Sequence, residues 1–529
     1  MPHEQFDIPP YNLILRKMKA FLHKKTRFIV VVFLITGPLN LSAQEGHSDL
    51  PASKKYLLEY LNDASTIRRF GLISDAIWSY AELGMQEIHS SALLIKMLEE
   101  EGFTIDRNVA GMPTCFVATW GSGKPVIGIL GEYDALPMIS QKPLTPYQDP
   151  LVEGAPGHGC GHNMMGTAGI AAMIALKKTM ERYRMPGTIK FFGSPAEETI
   201  ISRPYMVRAG VFNEIDAVID NHASASFSTS YGVSGTAVMS VVFTFKGKTA
   251  HAASTPWSGR SALDGVEIMN VATNYLREHL HYTHRLHYVI TEGGEAPNVV
   301  PDRASVWYYI RNTDERLEAM FNRVLDCARG AALASGTTLD TVLVLTATHQ
   351  KHSNKALAQA IQANIELVGM PEWSEEENAF AKALQKEMGA KESGFSTELR
   401  KLSAPQGVQV GGGSTDVGEV SLVAPLATIN FPGIVPGAIG HHWSYVTSSF
   451  GSAAWKGLNA GAKAISASAY DLLTNPELLQ RVRKEFDEYM KDHIYKTFLP
   501  PQAQPPLEMN KQLMDLYRDA ITKTHTSEP

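Results

Sequence analysis

The segment from Pro156 to Asn163 reads PGHGCGHN, with His158, Cys160 and His162 at alternate positions. A thiolate and an imidazole this close make a good ligand pair for a borderline-soft metal ion. Glycines at 157, 159 and 161 let the backbone fold tightly around such an ion. Four further stretches offer acids or imidazoles in loops. GEYDALP (131–137) holds Asp134, GSPAEET (193–199) holds adjacent Glu197 and Glu198, IDNHAS (219–224) holds His222, and GAIGHHW (437–443) holds His441 and His442. Adjacent glutamates cannot point the same way, so one suits a metal and the other suits a base acting on water. Taken singly, each stretch has a plainer explanation, such as a helix-capping Asp or glutamates at a helix start. Together they point to metal-assisted chemistry.

The elements that must position these residues follow from periodicity. Residues 54–107 read as helices, with apolar spacing over Lys54 to Asn62, Leu72 to Leu83 and Ser91 to Glu101. Strands at Thr114 to Trp120, Val126 to Leu130, Thr188 to Phe192 and Ala217 to Ile219 then alternate with a helix at Gly166 to Arg184. That alternation predicts an α/β fold with a mostly parallel sheet flanked by helices. Three of the five chemical stretches directly follow such a strand, where ligands gather in open α/β sheets. From about 236 the order becomes strand–helix–strand–strand–helix–strand, ending near Leu345. This is the ferredoxin-like split βαβ pattern, here inserted into the larger domain. The first texture resumes near 351, with helices at Lys355 to Val368 and Gly451 to Leu473 and the glycine run 411–413. The Pro- and Gln-rich tail is expected to wrap the surface.

The motifs resemble those of the dinuclear metallopeptidase family that contains aminoacylase, carboxypeptidase G and the plant auxin-conjugate hydrolases. Within it they are most similar to the branch of p-aminobenzoyl-glutamate hydrolases and related amidohydrolases. The resemblance runs from about 55 to 475 and keeps the family's motif order. It implies a zinc-exopeptidase-like catalytic domain in two parts, 44–235 and 351–499, with a lid and dimerisation domain at 236–350 and an extension at 500–529. It implies two divalent metal ions, zinc or manganese. Cys160 would bridge them, and His162, Glu198, His222 and His441 would be terminal ligands, with His442 a competitor of His441. Glu197 matches the catalytic base. Glu132 stands where other branches carry a ligand histidine, so Asp134 is read as supporting the ligands rather than joining them. Asp416, in GGGSTDVGEVS, lies near the site in the same supporting sense. His158 is left as loop structure, because the other five complete the set. In the lid, His251 of GKTAHA would help stabilise the oxyanion, in the family often from across a dimer interface. Asn298 and Arg311 would hold a substrate carboxylate or amide, for which an Arg fork is well shaped. The implied reaction is hydrolysis of the amide of an N-acyl or N-aroyl amino acid, a p-aminobenzoyl-glutamate-like compound first, with dipeptides and simpler N-acyl amino acids as alternatives. A non-catalytic metal- or ligand-binding relative is a different class, and the intact base and ligand set argue against it.

The whole chain sets looser bounds. A formal net charge of −6 and the absence of basic tracts after the N-terminal region exclude a nucleic-acid binder. Lys24, Lys25 and Arg27 precede the apolar run Phe28 to Ile35 and then Leu-Ser-Ala at 41–43. This predicts a cleaved secretory signal over 1–43 and a periplasmic or secreted protein. The run is too short to span a membrane. The three scattered cysteines, 115, 160 and 327, do not make a disulfide framework.

Overall fold

Val126–Glu132 is buried along its whole length, as a strand covered on both faces must be. It lies at the heart of the larger of two principal sheets. A computed structural model describes residues 50–403 and 412–526, so the expected signal and Gly411 lie outside the described residues. In chain order the strands are β1 (Thr104–Arg107), β2 (Phe116–Ser122), β3 (Val126–Glu132), β4 (Gly187–Ser194), β5 (Ala217–Ala223), β6 (Ser228–Thr229), β7 (Gly232–Ser234), β8 (Ala237–Lys246), β9 (Arg285–Glu292), β10 (Arg303–Asn312), β11 (Thr338–Thr348), β12 (Lys351–Ser353) and β13 (Leu426–Phe431).

The large sheet has the order β1-β2-β4-β3-β5-β13-β6. Its centre, β4-β3-β5-β13, is parallel, and its edges β1, β2 and β6 join antiparallel. The sheet is therefore mixed, where alternation of strands and helices predicts mostly parallel pairing. The difference arises at the edges, at the two-residue β6 and at β1 and β2, the last two following one another through a loop that reverses the chain rather than a helical crossover.

Helices cover both faces. His162–Tyr183 and Ser452–Thr474 are buried along most of their length in the main core, together with Leu57, Phe70 and Ile77 of the N-terminal helices. The second of those, Ala64–Tyr80, starts where Asp63 Oδ1 accepts from the backbone N–H groups of Ser65 and Thr66, each at 3.0 Å. On the other face Tyr205, Met206, Val417 and Val420 pack against Leu130, Phe192 and Val218.

The smaller sheet is wholly antiparallel in the order β11-β8-β10-β9. Its helices, Ala262–Leu276 and Asp314–Ser335, cover one face and bury Val306, Tyr308 and Ile310 of β10. By the two-residue period of a strand, Trp307, Tyr309 and Arg311 lie on the opposite face. The ribbon β7–β12 pairs the segments through which the chain leaves and re-enters the body.

The tail does more than wrap the surface. It forms the helix Lys511–Thr522, whose Met514 and Ile521 are buried with Leu83 and Ala155. Arg518 Nη1 reaches Glu82 Oε1 at 3.3 Å. Two other helices, Glu375–Glu387 and Pro476–Met490, carry no motif and are not anticipated from sequence. Among the described residues no helix is long and apolar enough to cross a membrane.

Candidate active site

The parallel strands β3, β4, β5 and β13 send their carboxyl ends to one edge of the sheet, and the chemical stretches sit there. Asp134 follows β3 by two residues, Glu197 and Glu198 follow β4, and His222 is the penultimate residue of β5. Cys160 and His162 enter from a loop whose Gly161 has φ +80°, a left-handed turn that starts the long helix at His162 itself. His441 arrives on the loop beyond β13, and its backbone N–H donates to the Gly159 carbonyl at 2.9 Å.

These side chains form two donor groups that share one atom. Sγ of Cys160 lies with His162 and His222 in one, and with Glu198 and His441 in the other. Within each group the donor atoms are no more than 4.8 Å apart. A third such group, Glu132, His162 and Glu197, adjoins them. The tautomers follow from the partners. His162 Nδ1 lies 2.9 Å from Asp134 Oδ1, and His222 Nδ1 lies 2.6 Å from the Ala223 carbonyl. Both acceptors require the proton on Nδ1, which leaves each Nε2 lone pair facing the cluster. His222 Nε2 is 3.4 Å from Cys160 Sγ, and His441 Nε2 is 3.2 Å from Glu198 Oε2.

Two buried atoms here have no hydrogen-bond partner, His162 Nε2 and Glu198 Oε1. They are 3.8 Å apart. Buried polar atoms are normally satisfied, and orphans aimed at a thiol and an imidazole fit a cation between them. Charge tells the same story. Burial, with repulsion from Glu132 and Asp416, holds the Glu197 carboxyl well above the usual carboxylate range. Burial pushes Glu198 up to about 8 and the Cys160 thiol up to about 12. A desolvated acidic cluster of this kind gains most from a multivalent cation, which would also deprotonate the thiol.

Asp134 is fully buried behind the donor groups. Its Oδ2 accepts the Glu198 backbone N–H at 2.9 Å, so one carboxylate orients a residue of each donor group. Asp416 is buried too and is ion-paired with Arg203. Arg203 also holds Glu132 at 2.8 Å. Sequence reading missed Arg203 altogether, because SRPYMVR carries no motif and its partners are distant in the chain.

The late histidine pair separates by role. His442 faces the helix Trp443–Ser448, where its Nδ1 accepts from the Ser444 backbone N–H at 3.3 Å, whereas His441 lines the cleft. His158 is buried against the Ile77 carbonyl at 3.0 Å and belongs to none of the three donor groups.

Of His251, Asn298 and Arg311, Arg311 alone lines the cleft, which encloses about 420 Å³. Its Nη1 donates to Ser414 Oγ at 2.6 Å. His251 and Asn298 do not line it. They meet each other on exposed loops of the small sheet, where the Ala252 N–H donates to the Asn298 carbonyl at 3.0 Å and His251 bridges Val299. Within one chain they therefore do not join Arg311 at the site. Both lie on the turns after β8 and before β10, at the opposite end of β10 from Arg311.

A model of peptidase family M20/M25/M40 matches residues 128–528. The chain is 35% identical over 478 residues to one of the subunits of p-aminobenzoyl-glutamate hydrolase of Escherichia coli K12, covering 85% of this chain and 98% of that protein. It is 30% identical to the mouse Xaa-Arg dipeptidase, covering 83% of this chain and 93% of that enzyme. Among solved structures, an aminobenzoyl-glutamate utilization protein of Klebsiella pneumoniae shares the fold with a TM-score of 0.52 at 16% identity, over 80% of this chain and 99% of that one. A dinuclear metal binding peptidase of Bacillus subtilis aligns with a TM-score of 0.50 at 18% identity, over 78% and 99%. With this family match spanning most of the chain and the donor cluster at the carboxyl edge of its sheet, the protein belongs to peptidase family M20/M25/M40 and is an amidohydrolase.

Proposed function

We propose that this protein uses two divalent metal ions to hydrolyse the amide bond between an aroyl or acyl group and an amino acid with a free carboxylate, with N-aroyl-glutamates of the p-aminobenzoyl type as its preferred substrates. The observation that supports this most is the pair of donor groups meeting at Cys160 Sγ. Cys160, His162 and His222 would hold one ion, and Cys160, Glu198 and His441 the other. Such ions supply Lewis acidity, which acidifies water and polarises an amide carbonyl. Glu197, next to both groups but sparing its carboxylate from either, takes the proton from water and passes it to the leaving nitrogen. Arg311 holds the substrate carboxylate from the lid side through its planar fork. Asp134 keeps His162 and Glu198 in place throughout.

Replacing Glu197 with Ala is expected to leave metal content unchanged while turnover falls by about 10²–10⁴-fold, the usual worth of a general base. Near-normal turnover in that variant would overturn the assignment. Substrate preference is tested on a panel of aroyl-glutamates, N-acyl amino acids and dipeptides, and parity between aroyl-glutamate and simple dipeptides would reject the substrate class. The thiolate favours zinc, and the carboxylate and imidazole ligands also accept manganese. Reconstitution with each ion, read by rate, separates them.

We also propose a homodimer formed through the lid. Its helix Ala262–Leu276 exposes Val271 (55%) and Tyr275 (67%), and the edge strand β9 exposes Val289 (57%). Sedimentation of the full chain tests this. Export is proposed from the N-terminal segment alone and is tested by fractionation with N-terminal sequencing of the mature protein.

A further inference from the structure

The wall of the cleft formed by His349 and Lys351 is not used by the reaction described above. Both residues line the cleft with Arg311. They lie two apart in the chain, His349 in the link after β11 and Lys351 at the start of β12. Their neighbours turn elsewhere. Gln350 Nε2 donates to the Gly235 carbonyl at 3.0 Å, and the His352 ring stacks on Tyr489 with centroids 3.5 Å apart.

His349 is built as a fixed cationic donor. Its Nδ1 lies 2.5 Å from Glu419 Oε1, and its backbone N–H donates to the same oxygen at 3.0 Å. Tyr495 donates to the other oxygen at 2.6 Å, and Phe498 stacks on the ring at 4.1 Å. Glu419 and Asp314 hold the imidazole above its ordinary range despite burial. With Nδ1 committed, the remaining ring N–H is the one available to a ligand. Lys351 is half-buried. Its Nζ donates to Thr428 Oγ1 at 2.7 Å and lies 3.7 Å from Asp220 Oδ2, which leaves a donor of the ammonium unspent. Ser234, paired with Lys351 in register, adds a neutral hydroxyl at the same wall.

We propose that His349 and Lys351 form a second anion subsite, which takes the side-chain carboxylate of an acidic amino acid while Arg311 takes its α-carboxylate. This rests on the amide-hydrolase reading and deepens it: it assigns the residues that select a dicarboxylic amino acid and repel a cationic side chain. Two cations facing one carboxylate in a half-buried cleft give charge-assisted bonds, which a neutral isostere cannot replace.

The test uses the full metal-loaded chain with N-benzoyl-L-glutamate, N-benzoyl-L-glutamine and N-benzoyl-L-arginine. The wild type is expected to favour glutamate over glutamine by about 10- to 100-fold in kcat/KM, with arginine the poorest. In Lys351→Met that ratio should collapse to within about 3-fold, mainly through KM for the glutamate substrate, the pattern for lost uniform binding. Lys351→Arg should restore it. His349→Gln should lower it too, and the Lys351 pair keeps the test decisive if that variant folds poorly. A wild type indifferent to the second carboxylate, or a Lys351→Met ratio equal to wild type, would overturn the subsite. If the wild type hydrolyses none of the three, the proposed reaction fails, and the wall is then judged by calorimetric binding of glutarate against butyrate. Tighter glutarate binding that Lys351→Met abolishes supports it, and equal binding overturns it.

Discussion

Asp134 is the residue whose removal most directly tests how this site is built. Its carboxylate is fully buried and makes a hydrogen bond to each donor group, one to His162 Nδ1 and one to the Glu198 backbone N–H, both at 2.9 Å. Asp134→Ala leaves both N–H groups buried without partners. At about 1–3 kcal/mol for each, the metal-free protein should lose roughly 2–6 kcal/mol, less whatever a water entering the gap restores. Loss of the partner that orients a ligand imidazole also weakens metal affinity, commonly by about 10- to 100-fold. Here both ions should weaken, because His162 belongs to one donor group and Glu198 to the other. The assay is competition of the purified variant with a zinc chelator of known affinity, alongside thermal melts with and without metal. Wild-type affinity at both positions would refute the view that Asp134 positions the ligands. Weakening of the ion at His162 alone would refute its link to the Glu198 backbone.

Other perturbations probe the frame around the site. Ending the chain at Leu499 removes Met514 and Ile521 from the core, at about 1.5–3 kcal/mol each by burial, and strands Glu82 without Arg518, so the melting temperature should fall by several degrees. A melt unchanged by that truncation would show the tail to be dispensable. In Gly131→Ala the new Cβ would stand 2.2 Å from the buried Phe191 ring, and the overpacking should cost about 1–3 kcal/mol and displace Glu132 and Asp134, which a lowered melt together with weaker zinc binding would register. The His349–Glu419 pair has a pH signature. Its imidazole is raised above 6.5 in the fold by Glu419 and Asp314, with Tyr495 on the same carboxylate, so the stability it supplies is full below 6.5 and is lost as pH rises through the higher folded value. The difference in melting temperature between wild type and His349→Gln should therefore shrink as pH rises from about 6.5, and a difference that grows would contradict the charge state assigned to His349.

Much of the catalytic edge is legible along the chain for a local reason. A parallel strand ends where its apolar run ends, and the next residues must lie at the carboxyl edge of the sheet. GEYDALP after Leu130, GSPAEET after Phe192 and His222 in IDNHAS are therefore placed before any tertiary contact is known. The smaller sheet is legible for a similar reason, since four alternating strands and two amphipathic helices admit few antiparallel sheets, and the observed order β11-β8-β10-β9 is the split βαβ one.

What the pattern of residues cannot carry is charge pairing across the fold. Arg203 and Asp416 are 213 positions apart, and neither SRPYMVR nor STDVGEV hints that they meet. His349 and Glu419 are 70 apart, so His349 looks like any strand-end imidazole until folding brings Glu419 beneath it. The choice between His441 and His442 is also undecided by spacing, because neighbouring residues differ only in the direction the backbone gives them. The loop puts His441 at φ +60° toward Glu198 and turns His442 to cap the next helix. The motif around Cys160 shows the division most clearly. Residue type and spacing single out Cys160 and His162 as a candidate ligand pair. That the same sulfur stands between two separate donor groups depends on Glu198, His222 and His441 converging from three other loops, and only the packed sheet brings those loops together.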